Sequence, residues 1–483
     1  HRSLAGALRL RWLVVLVSLG FFAASLAVVG KINKEFVPAQ DQGNFMIRLQ
    51  MPVESSIHYT DQKFREAEKA ISEHPALARY FVAVGGFGGG EVNAGIIFIT
   101  MKAFGSRGVD PKTKRETTQQ NLMDAFRVTL GKIPDVKVFI QDLSMRGFSA
   151  SRGFPVEFTI RGPNWDELAL QSETITKGMT DSGLLTDVDT DYRLGKPEIR
   201  VVPDREKAAL RGVSIRTISE TVGALVGGSV VGKYSAFGRR YDILVRLAPD
   251  ERDEGEKINR LYIRNNRGEL VRLSEVVTIE NRKALQQISR NDRERAISIF
   301  ANVAPGKSQA LAIEAAQTIA RKSLPPGYRA VMSGSAQTFK ESFQDLLFAL
   351  VLGLVVAYMV LASQFNSFVD PITVLLALPF SLSGAFLALY LTNNSINIYS
   401  FIGIILLMGI VKKNSILLVE FTHQVRARNQ TSVREALLEA CPIRLRPILM
   451  TSIATIAGAI PAALALGPGA ETRIPMAIAV IGG

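Results

Sequence analysis

The sequence predicts an α+β membrane protein, and three observations carry that reading. Apolar residues gather at the two ends of the chain in runs long enough to cross a bilayer. The long stretch between them is polar and alternates between strand and helix periodicities. Charged residues make up 21% of the 483, so mean hydropathy is only +0.17 although the terminal runs are nearly free of charge.

Five spans are expected, at 13–29, 343–361, 372–391, 398–421 and 448–466. Arg2, Arg9 and Arg11 precede the first, and Arg426, Arg428, Arg434, Arg444 and Arg446 follow the fourth, which places both flanks in the cytoplasm. Of Lys and Arg, segments 392–397 and 467–475 hold only Arg473, so they and the long polar stretch fall on the outer side. The net charge of +13 does not indicate nucleic acid, because bases and acids interleave at 250–257 and 291–295 as on a solvated surface. The single cysteine, Cys441, falls in the cytoplasmic flank, leaving the external region to be held by core packing without disulfides. A start at His1 and an end in an apolar run read as a fragment, and the first span as an internal helix rather than a signal peptide.

Within the polar stretch, strand 44–51, helix 58–72, strand 79–84, strand 95–101, helix 117–130 and strand 136–141 give β-α-β-β-α-β, the ferredoxin-like order. A second copy starts with strand 156–160, helix 165–180 and strand 186–192. It resumes with strand 295–303, helix 308–323 and strand 328–333, with Pro325-Pro326-Gly327 as a turn. Between these halves, 204–280 reads as short helices, a long hairpin over 230–234 and 241–247, and a turn at 265–268. The expected fold is therefore a transmembrane helix bundle plus two ferredoxin-like subdomains, the second interrupted by an insertion. The boundaries are 1–32, 33–154, 155–203 with 285–335, 204–284 for the insertion, and 336–483.

Lys412 and Lys413 interrupt the fourth span. An ammonium at that depth costs about 3 kcal/mol on insertion scales and is tolerated where it faces protein or a wet cavity. The end of the span at Phe421 lies roughly 12 Å further along the helix, beyond comfortable snorkelling reach. Ion or proton handling follows. The five spans supply no counter-charge, since Asp345 and Asp370 lie near span ends and Glu420 at the cytoplasmic edge. Gly85 to Gly90 is not a phosphate loop, because no Gly-Lys-Ser/Thr follows. Met145 beside Arg146 is a lone thioether, and four dispersed histidines with one cysteine make no metal-ligand cluster. No hydrolase or metalloprotease motif is present, so neither an enzyme nor a cofactor is expected.

The run from Gly409 to Phe421, GIVKKNSILLVEF, and the run from Arg444 to Ser452, RLRPILMTS, resemble the tenth and eleventh transmembrane helices of resistance-nodulation-division (RND) efflux pumps of the hydrophobe/amphiphile branch. Phe36-Val37-Pro38, Asp41-Gln42-Gly43, Gly212-Val213-Ser214, Ala304-Pro305-Gly306, Ser363-Gln364-Phe365 and the stretch from Pro371 to Pro379 support the match along the whole chain. The resemblance implies the C-terminal half of such a pump, from its seventh to its eleventh helix, without the last. The ferredoxin-like pair would then be porter subdomains and the insertion a docking subdomain.

Lys413, with Asn414 after it, matches the intramembrane lysine that pairs with two aspartates of the fourth helix. Thr451 and Arg444 match the residues that complete the proton relay, while Lys412 is an additional charge. Taken alone, Thr451 reads as a small packing residue or a hydroxyl bonded to the carbonyl one turn back. Lys413 is expected to face the helix bundle on the side where Thr451 can approach. Gly86, Phe87 and Gly88 match the switch loop bordering the drug pockets, in a version that is shorter and lacks a second aromatic.

The implied function is proton-motive-force-driven export of amphiphilic small molecules from the bacterial inner membrane. The implied partners are protons, membrane lipid, the pump's N-terminal half, a periplasmic adaptor and an outer-membrane channel, in a homotrimer. The alternatives are an RND transporter of metal ions or lipids, a non-pumping RND-type sensor, and an inactive truncated product.

Overall fold

The computed structural model describes the chain apart from residues 1, 86–90, 111–113, 144–152, 253–254, 286, 465–466 and 468. The chain forms two compact units, His1–Asp191 with Ser289–Gly483, and Tyr192–Ile288.

In the larger unit, α1 (Arg2–Arg9) leads into the apolar α2 (Arg11–Val29). There follow β1 (Asn44–Gln50), α3 (Ile57–Ser72), β2 (Leu77–Val84), β3 (Ala94–Met101), α4 (Gln119–Leu130) and β4 (Lys137–Asp142). Ser56 and Thr118 cap the two helices, each accepting from a backbone N–H three residues on. The sheet runs β2-β3-β1-β4, antiparallel throughout. Phe45, Ile47 and Leu49 on β1 and Ile97 and Ile99 on β3 bury against Phe64 and Ile71 of α3 and Leu122 and Phe126 of α4. A second sheet begins with β5 (Val156–Gly162), α5 (Trp165–Asp181) and β6 (Leu185–Thr190).

The smaller unit opens on β7 (Leu194–Pro203), then α6 (Arg205–Leu210), α7 (Ile215–Val222) and a π-helical turn at Gly223–Gly227. The hairpin β8 (Ser229–Ala236) and β9 (Arg239–Val245) follows, then α8 (Gly255–Asn259), β10 (Tyr262–Arg264), β11 (Leu270–Arg272) and β12 (Val277–Leu285). Ile218, Ile258, Ile263, Leu273 and Val276 form its core. The sequence placed the start of this excursion at 204 and took 186–192 as one strand. Instead β6 ends at Thr190, and β7 pairs antiparallel with β12 from Leu194 to Pro203. The two strands give each other their backbone partners, which moves the boundary to 192 and 288.

The second sheet is completed by β13 (Arg290–Asn291), β14 (Glu294–Val303), α9 (Gln309–Ser323) and β15 (Arg329–Met332), in the order β13-β14-β5-β15 with β6 also on β14. The chain passes from β15 into α10 (Gly334–Phe365) with Ser333 between them, its N–H donating to the Glu157 carbonyl on β5. Then come α11 (Asp370–Leu375), α12 (Leu378–Leu391), α13 (Ile398–Asn429), α14 (Val433–Ala463) and α15 (Arg473–Gly482). Among the described residues, five spans are long and apolar enough to cross a membrane: α2, α10, α11 with α12, α13 and α14. Pro379, lacking an N–H in the first turn of α12, coincides with the break between α11 and α12. Glycines let α15 lie against its neighbours: a Cβ on Gly403 would stand 2.7 Å from the Met476 carbonyl oxygen, and one on Gly384 2.2 Å from that of Gly482.

Candidate functional site

The lysine-bearing helix α13 starts in a buried capping box. Asn397 accepts from the N–H groups of Tyr399 and Ser400, and the Ser400 hydroxyl accepts from Asn397 N–H in return. Lys412 and Lys413 sit mid-helix, Lys412 half-buried and Lys413 exposed. Neither makes a hydrogen bond or ion pair with another of the described residues. Asn414 follows, half-buried.

Helix α14 packs beside α13. Gln430 in the left-handed conformation ends α13, Ser432 caps α14 and bonds reciprocally with Glu435, and Val425, Ala436 and Ala440 close the hairpin. Arg444 stacks its guanidinium over the Phe421 ring at 4.3 Å, a cation–π contact that leaves its Nε without a partner among the described residues. Pro447, lacking an N–H, cannot bond the Ile443 carbonyl. Thr451 is exposed, and its hydroxyl donates to the Ile448 carbonyl at 3.0 Å, the local back-bond expected of threonine in a helix. Lys413, Asn414, Arg444 and Thr451 thus lie on two packed helices, joined by no hydrogen bond among the described residues. Gly86, Phe87, Gly88, Met145 and Arg146 lie outside the described residues.

The start of α13 is tied to the sheet-bearing part of the same unit through segment 33–36. Ile396 N–H donates to the Asn33 carbonyl at 2.8 Å, Glu35 N–H to the Ile396 carbonyl at 3.1 Å, and Ile398 N–H to the Phe36 carbonyl at 3.2 Å. On its other side the segment holds the N-terminus of α9. Ser308 Oγ accepts from Lys34 N–H at 3.2 Å, and Gln309 accepts from Phe36 N–H at 2.8 Å while donating to the Pro155 carbonyl at 2.8 Å. A run of rings parallels this path: Phe36 on Phe339, Phe339 on Phe343, and Phe343 on Phe401 of α13, with centroids 6.5, 4.7 and 5.0 Å apart.

Beside this strap lies a cleft of about 320 Å³ between the two sheets' subdomains, lined by Val37, Met123, Ile140, Val303, Pro305 and Gln309 among others. Its back is pinned by Arg127 of α4, which donates to Asp187 of β6 from Nε and Nη2, the latter at 2.9 Å. Asn302 bonds Asp187 at 2.8 Å and the Ile140 carbonyl at 2.7 Å. Asp187 takes φ 53°, in the left-handed region that Asp tolerates better than most residues, opposite a register shift between Phe300 and Asn302. Glu35 also lines the cleft, its carboxylate accepting from the Ser395 hydroxyl. Burial pushes the Glu35 carboxyl above its ordinary value, and the Ser395 bond pulls it back.

Sequence reasoning passed over Glu35, Arg127, Asp187 and Asn302. Glu35 carried a usable signal, an acid just past a membrane span and directly before Phe36-Val37-Pro38. The other three are far apart in sequence and meet only when the Arg127 side chain of α4 reaches Asp187 on β6, beside Asn302 of the paired strand β14.

Helices long and apolar enough to cross a membrane, one of them carrying two adjacent lysines, beside paired α/β subdomains with a cleft between them, fit a membrane transporter. The profile of the AcrB/AcrD/AcrF family matches residues 1–483, and the chain belongs to that family of RND transporters. The chain is 30% identical over its full length to the multidrug resistance protein MdtC of Escherichia coli O7:K1 (strain IAI39 / ExPEC), covering 46% of that protein. It is 29% identical over 98% of its length to MdtC of Salmonella schwarzengrund (strain CVM19633), covering 45% of it. The chain therefore spans about half the length of the curated relatives it matches. In fold it is similar to a heavy metal efflux pump seen in two crystal forms, with TM-scores of 0.88 and 0.86 at 22% identity. It is covered completely in both and matches 48% and 49% of those chains.

Proposed function

We propose that this chain is the C-terminal half of an inner-membrane subunit that exports amphiphilic small molecules at the expense of the proton gradient. The observation that carries the proposal is the strap at 33–36, bonded on one side to the turn that starts α13 and on the other to the N-terminus of α9 at the cleft. Movement of the lysine-bearing helix is thereby linked to the wall of the cleft. Lys413 acts as the charged element of a proton relay with Asn414, Thr451 and Arg444. It stays charged against ionised carboxylates supplied by the other half of the pump and is released when they take up protons. Thr451 must then exchange its present bond to Ile448 for one within the relay.

The described lining of the cleft offers one thioether, Met123, and mixes apolar side chains with charged and amide ones. That chemistry suits an amphiphile better than a soft metal ion. The two sheet-bearing subdomains serve as the porter region, with Gly86, Phe87 and Gly88 as its switch loop, and Tyr192–Ile288 as a docking region for an adaptor and an outer-membrane channel in a homotrimer. In the complete pump, Lys413→Ala is expected to abolish export and the accompanying proton flux at normal expression and trimer content, with Lys412→Ala milder. Full export by Lys413→Ala would remove the relay assignment.

A further inference from the structure

A second cavity, of about 370 Å³, opens where the membrane helices meet the external subdomains, and the transport reading gives it no role. Lys31, Ile32 and Asn33 just past α2, Asn393, Asn394 and Ser395 between α12 and α13, and Glu471, Ile474 and Pro475 around the start of α15 line its membrane side. Gly306 and Lys307, just before α9, line the other. Val29, Leu391 and Ile398 end or begin three spans at this level, which puts the cavity at the depth of lipid headgroups. Tyr390, an amphipathic ring of the kind that settles at that depth, is part of the lining.

The charges in the lining are two lysines, Lys31 and Lys307, and two glutamates, Glu35 and Glu471. Both lysines are exposed, and neither makes an ion pair with a described residue. The glutamates are far less accessible. Glu35 has the Ser395 hydroxyl as its side-chain partner, and Glu471 Oε2 is buried with no hydrogen-bond partner among the described residues. A buried carboxylate oxygen left without a donor is unfavourable. Two cations and two anions around one cavity match neither a simple anion nor a simple cation. They match a ligand that carries both charges a few bonds apart.

We propose that this cavity binds the headgroup of a zwitterionic phospholipid, with the ammonium on Glu35 and Glu471 and the phosphate on Lys31 and Lys307. The acyl chains would run down the exposed surface beside Leu391. An incoming ammonium brings positive charge beside the Glu471 carboxylate, whose Oε2 has no hydrogen-bond partner among the described residues, and offsets the burial that disfavours ionised Glu35.

The test is lipid titration of the full chain, delipidated in detergent and followed by native mass spectrometry, with phosphatidylethanolamine, phosphatidylglycerol and soluble phosphoethanolamine as probes. One phosphatidylethanolamine is expected to be retained, in preference to phosphatidylglycerol, which lacks the ammonium. Glu35→Gln with Glu471→Gln should weaken phosphatidylethanolamine about tenfold or more and leave phosphatidylglycerol unchanged. Lys31→Gln with Lys307→Gln alters exposed side chains only and should weaken both lipids, so a folding defect in the glutamate pair would still leave a readable variant. Equal binding of the two lipids, unchanged phosphatidylethanolamine binding in either folded pair, or binding of soluble phosphoethanolamine as tight as that of the lipid would each overturn the proposal. None of these outcomes depends on export.

Discussion

Removing the charge of Asp41 is expected to loosen the whole first sheet, and the structure sets the size of the effect. The Asp41 carboxylate accepts from Arg107 Nη1 at 2.8 and 2.7 Å, from Gln119 N–H at 2.9 Å at the start of α4, and from Gly43 N–H at 3.2 Å. Arg107 is 3% exposed, donates from Nε to the Lys102 carbonyl, and lies 3.9 Å from the Phe104 ring. In Asp41→Asn the acceptor for Gln119 persists, but the guanidinium stays buried without its counter-charge. Breaking a buried pair on one side costs about 3–5 kcal/mol. Native-state hydrogen exchange of the full chain in detergent should therefore show amides of β1, β3 and the first turn of α4 exchanging faster by about two to four orders of magnitude. Amides of Tyr192–Ile288 serve as the unchanged control. The double variant Asp41→Asn, Arg107→Met removes the stranded charge and should recover much of the protection. Wild-type exchange in Asp41→Asn, or equal loss in the single and double variants, would refute the reasoning.

Three further outcomes are expected. Because burial raises the Glu35 carboxyl above its ordinary 4.5, the folded state holds that proton to higher pH than the unfolded chain does. Stability from this group is present at acid pH and lost as pH rises from 4.5 through the raised value, so Glu35→Gln should stabilise the delipidated protein at pH 8 and gain little at pH 4, as read by thermal unfolding. At the back of the cleft, Asp187→Ala loses charge-assisted bonds to Arg127 and places Ala at φ 53°, for a combined cost of about 2–4 kcal/mol. Asp187→Asn keeps an acceptor and a residue suited to that conformation and should lose less than half as much; equal losses would discard the clamp. Gln309→Ala removes the acceptor for Phe36 N–H of the strap and the donor to the Pro155 carbonyl, and in the complete pump should reduce export while proton uptake at the relay persists; undiminished export would separate the strap from coupling.

What the sequence determined by itself was whatever repeats or persists along the chain. The five spans could be read because bilayer thickness demands long uninterrupted apolar runs, and the α/β subdomains because strand and helix impose different periods on neighbouring residues. The run from Gly409 to Phe421 identified the family because a charge inside a span is costly and rare. The tertiary structure alone decided relations between distant residues. The sequence around Asp41-Gln42-Gly43 does not announce a partner at Arg107, which arrives only when β1 and β3 pair and the turn after β3 folds back. Leu194–Pro203 reads as a continuation of the second subdomain until its backbone finds β12, since hydrogen-bond partners of a strand are not written in the strand itself. The same holds for Glu35. Its neighbours in the chain make it an ordinary acid after a membrane span, and only the meeting of α2, the α12–α13 turn and α9 buries it between two cavities. Burial and partnership are properties of three-dimensional packing, and they turn ordinary side chains into sites.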